Sequence, residues 1–181
     1  AWYYDAVRYV NENSLMAGTS ASTFEPDLTT TRGMIVTILY RLEGSPNIEN
    51  EIWGYPFKDV DVNAYYATAV YWARMNGIVA GYSDELFGPN DTITREQMAA
   101  IIKRYADKLG YTLPVAREAE IFTDEGQSTN GMKKAIQAMQ QAGVMNGKGG
   151  HRFGPQDNAT RAEAAAVLRR FVESVIDLTV T

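Results

Sequence analysis

Three arginines, Arg32, Arg95 and Arg161, each follow a threonine in a near-identical setting, and their type and placement suit the binding of an anion. Each closes a stretch that the chain writes three times: GTSASTFEPDLTTTRGM from residue 18, GYSDELFGPNDTITREQ from residue 81 and GKGGHRFGPQDNATRAE from residue 147. Laid together without a gap, the copies agree at an opening glycine (Gly18, Gly81, Gly147), at a Phe-x-Pro triplet and at the Thr-Arg pair. If Thr31, Thr94 and Thr160 are helix N-caps, Gln97 and Glu163 fall where a capping box needs them, whereas Met34 in the first copy offers no reciprocal bond. The arginine is then the first helical residue, where a cation opposes the helix dipole at a cost of a few tenths of a kcal/mol. Free N–H groups at a helix start, joined by a guanidinium fork, suit a carboxylate or phosphate. The pattern predicts three small anion sites. The competing reading pairs each arginine with a carboxylate of its own chain, such as Asp59 or Asp84, to lock one unit to the next. Phe24, Phe87 and Phe153 read as core plugs, and Pro26, Pro89 and Pro155 as fixing the turn into the following helix.

The elements that must position these residues recur with a period of about sixty residues, the size of a supersecondary unit. Before each quoted stretch, apolar residues run i, i+3, i+4, i+7: Tyr3, Ala6, Val7, Val10; then Tyr66, Ala69, Val70, Ala73; then Met132, Ala135, Ile136, Met139. Each set predicts one face of a helix. Gly77 and Gly143 would end two of these helices in the left-handed conformation, with Ser14 a weaker stop in the first. A second helical period follows each Thr-Arg pair: Ile35, Ile38, Leu39, Leu42; Met98, Ile101, Ile102, Tyr105; Ala164, Val167, Leu168, Phe171. Each unit therefore reads helix, glycine-rich loop, helix. The units are placed at 1–44, 57–110 and 121–175, with linkers at 45–56 and 111–120 that carry proline, glycine and charge but neither period. Short apolar openers, FKDV at Phe57 and IFTD at Ile121, precede the second and third units. The alternation in VIDLTVT at the C-terminus reads as a short strand.

Composition excludes several chemistries. With 45% hydrophobic and 22% charged residues the chain falls in the range of globular proteins. Its 17 basic and 22 acidic residues give a formal charge of -5, wrong for a protein whose affinity depends on neutralising phosphates, so nucleic acid is not the expected partner. No apolar run reaches the roughly 18 residues of a membrane span, and membrane insertion is not expected. There is no signal segment at Ala1, and its place inside a repeat predicts a fragment or processed chain. Without cysteine, and with His151 the only histidine, multi-histidine and cysteine metal sites and a Ser/His/Asp triad fall away. DVDVN at Asp59 opens like a calcium loop, but Ala64 and Val70 stand where the glycine and bidentate glutamate are required. No metal, cofactor or catalytic residue is expected. Trp72 reads as packing within the helices and Trp53 as pinning its linker.

At nearly full length the pattern resembles the S-layer homology domain. The residues that carry the likeness are FKDV, YYATAV, GIVAGYSDELFGP and ITRE in copy two, FTD, GVMNGKGGHRFGP and ATRAE in copy three, and WYYDAV, LMAGTSASTFEP and TTRGM in copy one. The resemblance implies a mainly α fold, three helix-loop-helix repeats around a pseudo-threefold axis, with a central helical bundle and grooves between lobes. It also implies noncovalent attachment of a surface protein to secondary cell-wall polysaccharide, often through a terminal pyruvylated sugar, at the cell wall of a Gram-positive bacterium. On that likeness Arg32, Arg95 and Arg161 clamp the sugar carboxylate, Trp2 and Tyr65 stack on its ring, and Asp59 and Asp84 join the glycan contacts. The family tryptophan is Trp2 in copy one, Tyr65 in copy two and Gly131 in copy three, and the full TRAE tetrad stands only in copy three, so one or two competent grooves are expected. The alternative is a structural module that assembles a surface layer or docks a protein without glycan, its arginines serving internal contacts. A wall-active enzyme is the third reading, and nothing in the chain resembles a nucleophile and base. A cargo or catalytic domain in a longer protein is compatible with the first two.

Overall fold

The computed structural model describes residues 1–51, 54 and 57–177. Within them the chain is mainly helical. Helices α1 (Tyr4–Glu12) and α2 (Arg32–Leu42) belong to the first repeat, α3 (Ala67–Met75) and α4 (Arg95–Leu109) to the second, α5 (Lys133–Gln141) and α6 (Arg161–Phe171) to the third. Short 3-10 turns, Glu49–Glu51 and Glu125–Gln127, lie between them. Val175 and Ile176 lie in a π-helical turn, Val172–Ile176, that continues α6, which corrects the strand reading of the C-terminal stretch there; its last four residues, and Trp53, lie outside the described residues.

The helices start and stop for the reasons their sequences carry. Thr31, Thr94 and Thr160 are extended N-caps whose hydroxyls accept from Met34 N, Gln97 N and Glu163 N. Gln97 and Glu163 return the bond, and in the first copy Met34 Sδ receives Thr31 N at 3.5 Å, so sulfur supplies the reciprocal contact that the sequence reading denied it. Beyond α3 and α5, Gly77 and Gly143 take the left-handed conformation. Ser14 takes it after α1 at φ 57, a position that costs a non-glycine residue roughly 1–2 kcal/mol.

The repeats close on one another cyclically. The first helix of each packs on the second helix of the repeat before it: α3 on α2, α5 on α4 and α1 on α6. Their apolar faces merge in one core that includes Val10, Ile35, Leu39, Val70, Ile102, Met139, Leu168 and Phe171. Trp72 is buried within it, its ring 5.6 Å from Tyr40 and 6.4 Å from Tyr105.

The residues just before the caps make a closed ring of backbone hydrogen bonds. Thr30 N donates to Ala159 O, Ala159 N to Ile93 O and Ile93 N to Thr30 O, at 2.8–2.9 Å. Isolated antiparallel bridges Thr29–Thr160, Thr31–Thr92 and Thr94–Asn158 flank this ring. A change of register in one repeat would break bonds in both neighbours, so the three caps are held in a fixed relation.

Candidate functional site: arginines between the repeats

Each arginine of the Thr-Arg pair crosses to the loop of another repeat. Arg32 Nε donates to Phe87 O at 3.0 Å, Arg95 Nε to Phe153 O at 2.8 Å and Arg161 Nε to Phe24 O at 2.9 Å. The guanidinium carbon lies 4.9, 4.7 and 4.5 Å from the ring centroid of the same phenylalanine. All three arginines are buried, and burial lowers the pKa of each from its ordinary value while leaving it charged at neutral pH. The triplicated Phe and Arg are thus two halves of one contact. Phe87 and Phe153 are buried as core plugs, and Phe24 is partly buried.

The backbone N–H groups at these helix starts are not open to an anion. Arg32 N and Gly33 N donate to Asp91 O and Pro89 O, Arg95 N and Glu96 N to Asp157 O and Pro155 O, and Arg161 N and Ala162 N to Leu28 O and Pro26 O. Carbonyls of the Phe-x-Pro loop satisfy the donors that helix geometry leaves over. The expected contribution of these N–H groups to anion binding is therefore corrected: any anion must be met by side chains.

Beyond this shared frame the three positions differ. Arg32 donates a hydrogen bond only from Nε among the described residues, and Ala80 O, the carbonyl just before Gly81, receives Arg74 Nη1. Its guanidinium faces a groove of about 290 Å³ lined by Gly81, Tyr82, Gln97, Ala100, Arg104 and Met132 among others, with the Tyr82 ring 4.5 Å away. Arg161 adds a bond from Nη2 to Ala17 O at 2.7 Å and lines a second groove, also about 290 Å³, with Met34, Thr37, Arg41 and Tyr65. Tyr65 is 60% exposed at its mouth. Among the described residues no carboxylate lies within 4 Å of either guanidinium.

Arg95 is different. Its Nη2 donates to Asn146 O at 2.6 Å, and Nη1 lies 3.6 Å from the Glu163 carboxylate in a largely buried pair. The linker adds another cation there: Arg117 Nε donates to Gln140 O at 2.6 Å and Nη2 to Asn146 Oδ1 at 2.7 Å, laying the side chain beside Gly143. Burial, then repulsion from Arg117 and Arg95, lowers the pKa of nearby Arg170.

The acids named with the arginines serve elsewhere. Asp59 Oδ1 and Oδ2 accept from Phe87 N and Gly88 N at 2.9 and 2.7 Å, so its carboxylate clamps the loop, and among the described residues it forms no ion pair with Arg32. Asp84 is fully exposed, 3.5 Å from Arg74, and lines neither groove. Trp2 is exposed, edge-on to Tyr3, and likewise lines neither. Sequence reasoning missed Tyr82 and the second arginines Arg41, Arg104 and Arg170. The latter stand at one fixed offset after each Thr-Arg pair, a regularity that was open to inspection. Gly18, Gly81 and Gly147 are structural: a Cβ at each would stand within 3 Å of a loop carbonyl.

The model of the S-layer homology domain matches residues 1–33, 56–99 and 121–165. The chain is 31% identical over 172 residues to an amylopullulanase of Thermoanaerobacterium thermosulfurigenes, covering 95% of this chain and 9% of that protein. It is 33% identical over 168 residues to an endoglucanase of Bacillus sp. (strain KSM-635), covering 93% of this chain and 17% of that protein. A cellulosome-anchoring protein of Acetivibrio thermocellus is 28% identical over 117 residues, which are 59% of this chain and 24% of that protein. The chain thus spans less than a quarter of each of these relatives.

Proposed function

The chain belongs to the S-layer homology domain family, and from that premise we propose that it holds a protein at a bacterial cell surface by binding an acidic wall glycan in two of its three inter-repeat grooves. The observation that carries this reading is the contrast among the arginines. Among the described residues Arg32 and Arg161 keep buried charges without a carboxylate within 4 Å and face open grooves, while Arg95 already has Glu163. A buried cation without a counter-charge is costly unless something supplies one. A visiting carboxylate does so, and each charge-assisted hydrogen bond it gains contributes about 1.5–3 kcal/mol.

In the Arg32 groove a sugar carboxylate meets the free Nη groups, with Tyr82 against the guanidinium and Arg104 as a second cation. In the Arg161 groove Arg41 takes that place and Tyr65 offers the exposed ring face on which a sugar stacks. A pyruvylated terminal sugar has the required carboxylate. The protein carries net negative charge, so local pockets rather than overall attraction select the glycan. One groove gives roughly micromolar affinity, and two acting on one polymer gain avidity. The chain itself is an anchor, not a catalyst. The enzyme names of its relatives belong to proteins of which it matches a small part, and catalytic cargo lies in other segments of such proteins.

The second reading, a module that assembles or docks without glycan, draws on the arginine–phenylalanine contacts, which give each arginine a role between repeats without a ligand. Calorimetric titration with a pyruvylated monosaccharide separates the two. The proposal expects two sites, one lost with Tyr65→Ala and Arg41→Ala together, the other with Arg104→Ala. Absence of binding by the folded parent chain would leave only the second reading.

A further inference from the structure

The carbonyl just before the loop glycine has one partner in two repeats and a different one in the remaining repeat. Ala17, Ala80 and Asn146 hold that place, directly ahead of Gly18, Gly81 and Gly147. Ala17 O takes Arg161 Nη2 at 2.7 Å and Asn146 O takes Arg95 Nη2 at 2.6 Å, so each of these arginines is held by Nε and Nη2 together. Ala80 lines the same groove as Arg32, yet Ala80 O takes Arg74 Nη1 from its own repeat, and among the described residues Arg32 donates from Nε alone.

Arg74 has no cationic counterpart, since Asn11 and Gln140 stand at the equivalent place in α1 and α5. Its guanidinium carbon lies 5.5 Å from the Phe57 ring centroid and its Nη2 is 3.5 Å from the Asp84 carboxylate, so a ring and an acid of the same repeat steer it to the loop. A carbonyl that already holds one guanidinium is a poor partner for a second, because two like charges would meet at one oxygen. Arg32 is held by other means: Nε bonds Phe87 O, and the guanidinium carbon lies 4.9 and 4.5 Å from the Phe87 and Tyr82 ring centroids. Its Nη edge is what remains for the groove.

We propose that Arg74 is a positioning residue for the Arg32 groove: by occupying Ala80 O it keeps both terminal nitrogens of Arg32 available, so this groove grips a carboxylate with a two-pronged fork while the Arg161 groove offers a single prong. The ligand in this inference rests on the glycan reading, whereas the exchange of arginines at Ala80 O stands without it. Two parallel N–H···O bonds fix the plane of a carboxylate as well as its place. The Arg32 groove is therefore the more selective of the two for an acid over its neutral ester.

The test titrates the whole chain with a pyruvylated monosaccharide and, in parallel, with its methyl ester, the Tyr82 and Tyr65 ring signals in NMR reporting the two grooves separately. Arg74→Met keeps an unbranched stem for the Phe57 ring but gives Ala80 O no donor, so Arg32 turns to it. The expected result is acid binding at Tyr82 weaker by about tenfold, the worth of one charge-assisted bond, with acid binding at Tyr65 and ester binding at both unchanged. Arg74→Lys, whose ammonium still reaches Ala80 O, keeps most of the affinity. A ligand-free crystal structure of Arg74→Met should show Arg32 Nη2 within hydrogen-bond distance of Ala80 O. Acid affinity at Tyr82 equal to the parent's, or equal weakening at Tyr65, overturns the proposal, as does a variant structure in which Arg32 leaves Ala80 O untouched. A parent chain that shifts at neither tyrosine ends the glycan reading instead, and the ligand-free structure then decides the exchange of arginines by itself.

Discussion

Replacing Arg161 by Met isolates what this arginine does between repeat 3 and repeat 1. Met keeps an unbranched apolar stem that can lie on the Phe24 ring, but it removes the bonds to Phe24 O at 2.9 Å and Ala17 O at 2.7 Å. Each is charge-assisted and contributes about 1.5–3 kcal/mol, and the cation–π contact adds about 0.5–1 kcal/mol. Against these stands the desolvation of a buried guanidinium, which the neutral side chain no longer suffers. The net expectation is a loss of about 2–4 kcal/mol, which in a chain of this size lowers the melting temperature by about 5–15 °C. Differential scanning calorimetry at neutral pH measures it. A variant that melts within about 2 °C of the parent would refute the interlock, since two carbonyls would then have lost a buried cation without consequence. Arg161→Lys supplies the complement: it keeps the charge without the fork, so it should melt closer to the parent while binding glycan more weakly.

Burial alone would raise the Asp124 carboxyl, but the N–H groups of Phe153 and Gly154, with Arg152, hold it below the ordinary carboxylate value. A carboxyl depressed in the folded state contributes stability that is present above its unfolded pKa of about 3.9 and is lost as pH falls through the lower folded value. Asp124→Asn should therefore cost about 1–3 kcal/mol at neutral pH and flatten the acid side of the melting curve, as thermal melts from neutral to strongly acidic pH will show. Gly81→Ala places a Cβ 2.6 Å from Leu86 O at φ 86 and should destabilise by about 2 kcal/mol or more, read by urea unfolding. Glu163→Gln with Arg117→Ala keeps the cap of α6 but frees Arg95, and calorimetric stoichiometry for a pyruvylated monosaccharide should rise from two to three; an unchanged count contradicts the assignment of these side chains as what closes the third groove.

Much of the frame was legible because it rests on local chemistry. The caps at Thr31, Thr94 and Thr160, the helical faces and the triplicated glycines each answer to rules that act within a few residues. What could not be read lies between repeats. Nothing local to Arg32 says that its helix N–H groups are taken by Asp91 O and Pro89 O from the next unit, so the sequence reading left them for an anion. The pairing of each arginine with a phenylalanine over fifty residues away, or 137 residues away for Arg161, depends on the cyclic order in which the repeats close. Asp59 suits an arginine by charge alone, whereas its place in the opener makes it a loop clamp. Glu163 was legible as a cap and not as the counter-charge of Arg95, since both roles fall to one side chain.

The most direct test is a crystal structure of the chain with a pyruvylated monosaccharide bound. The carboxylate should lie within hydrogen-bond distance of Arg32 in one groove and of Arg161 in the other, stacked near Tyr65 in the latter, with the Arg95 position empty. Sugar bound away from both guanidinium groups, or facing them with its hydroxyls and not its carboxylate, would contradict the account.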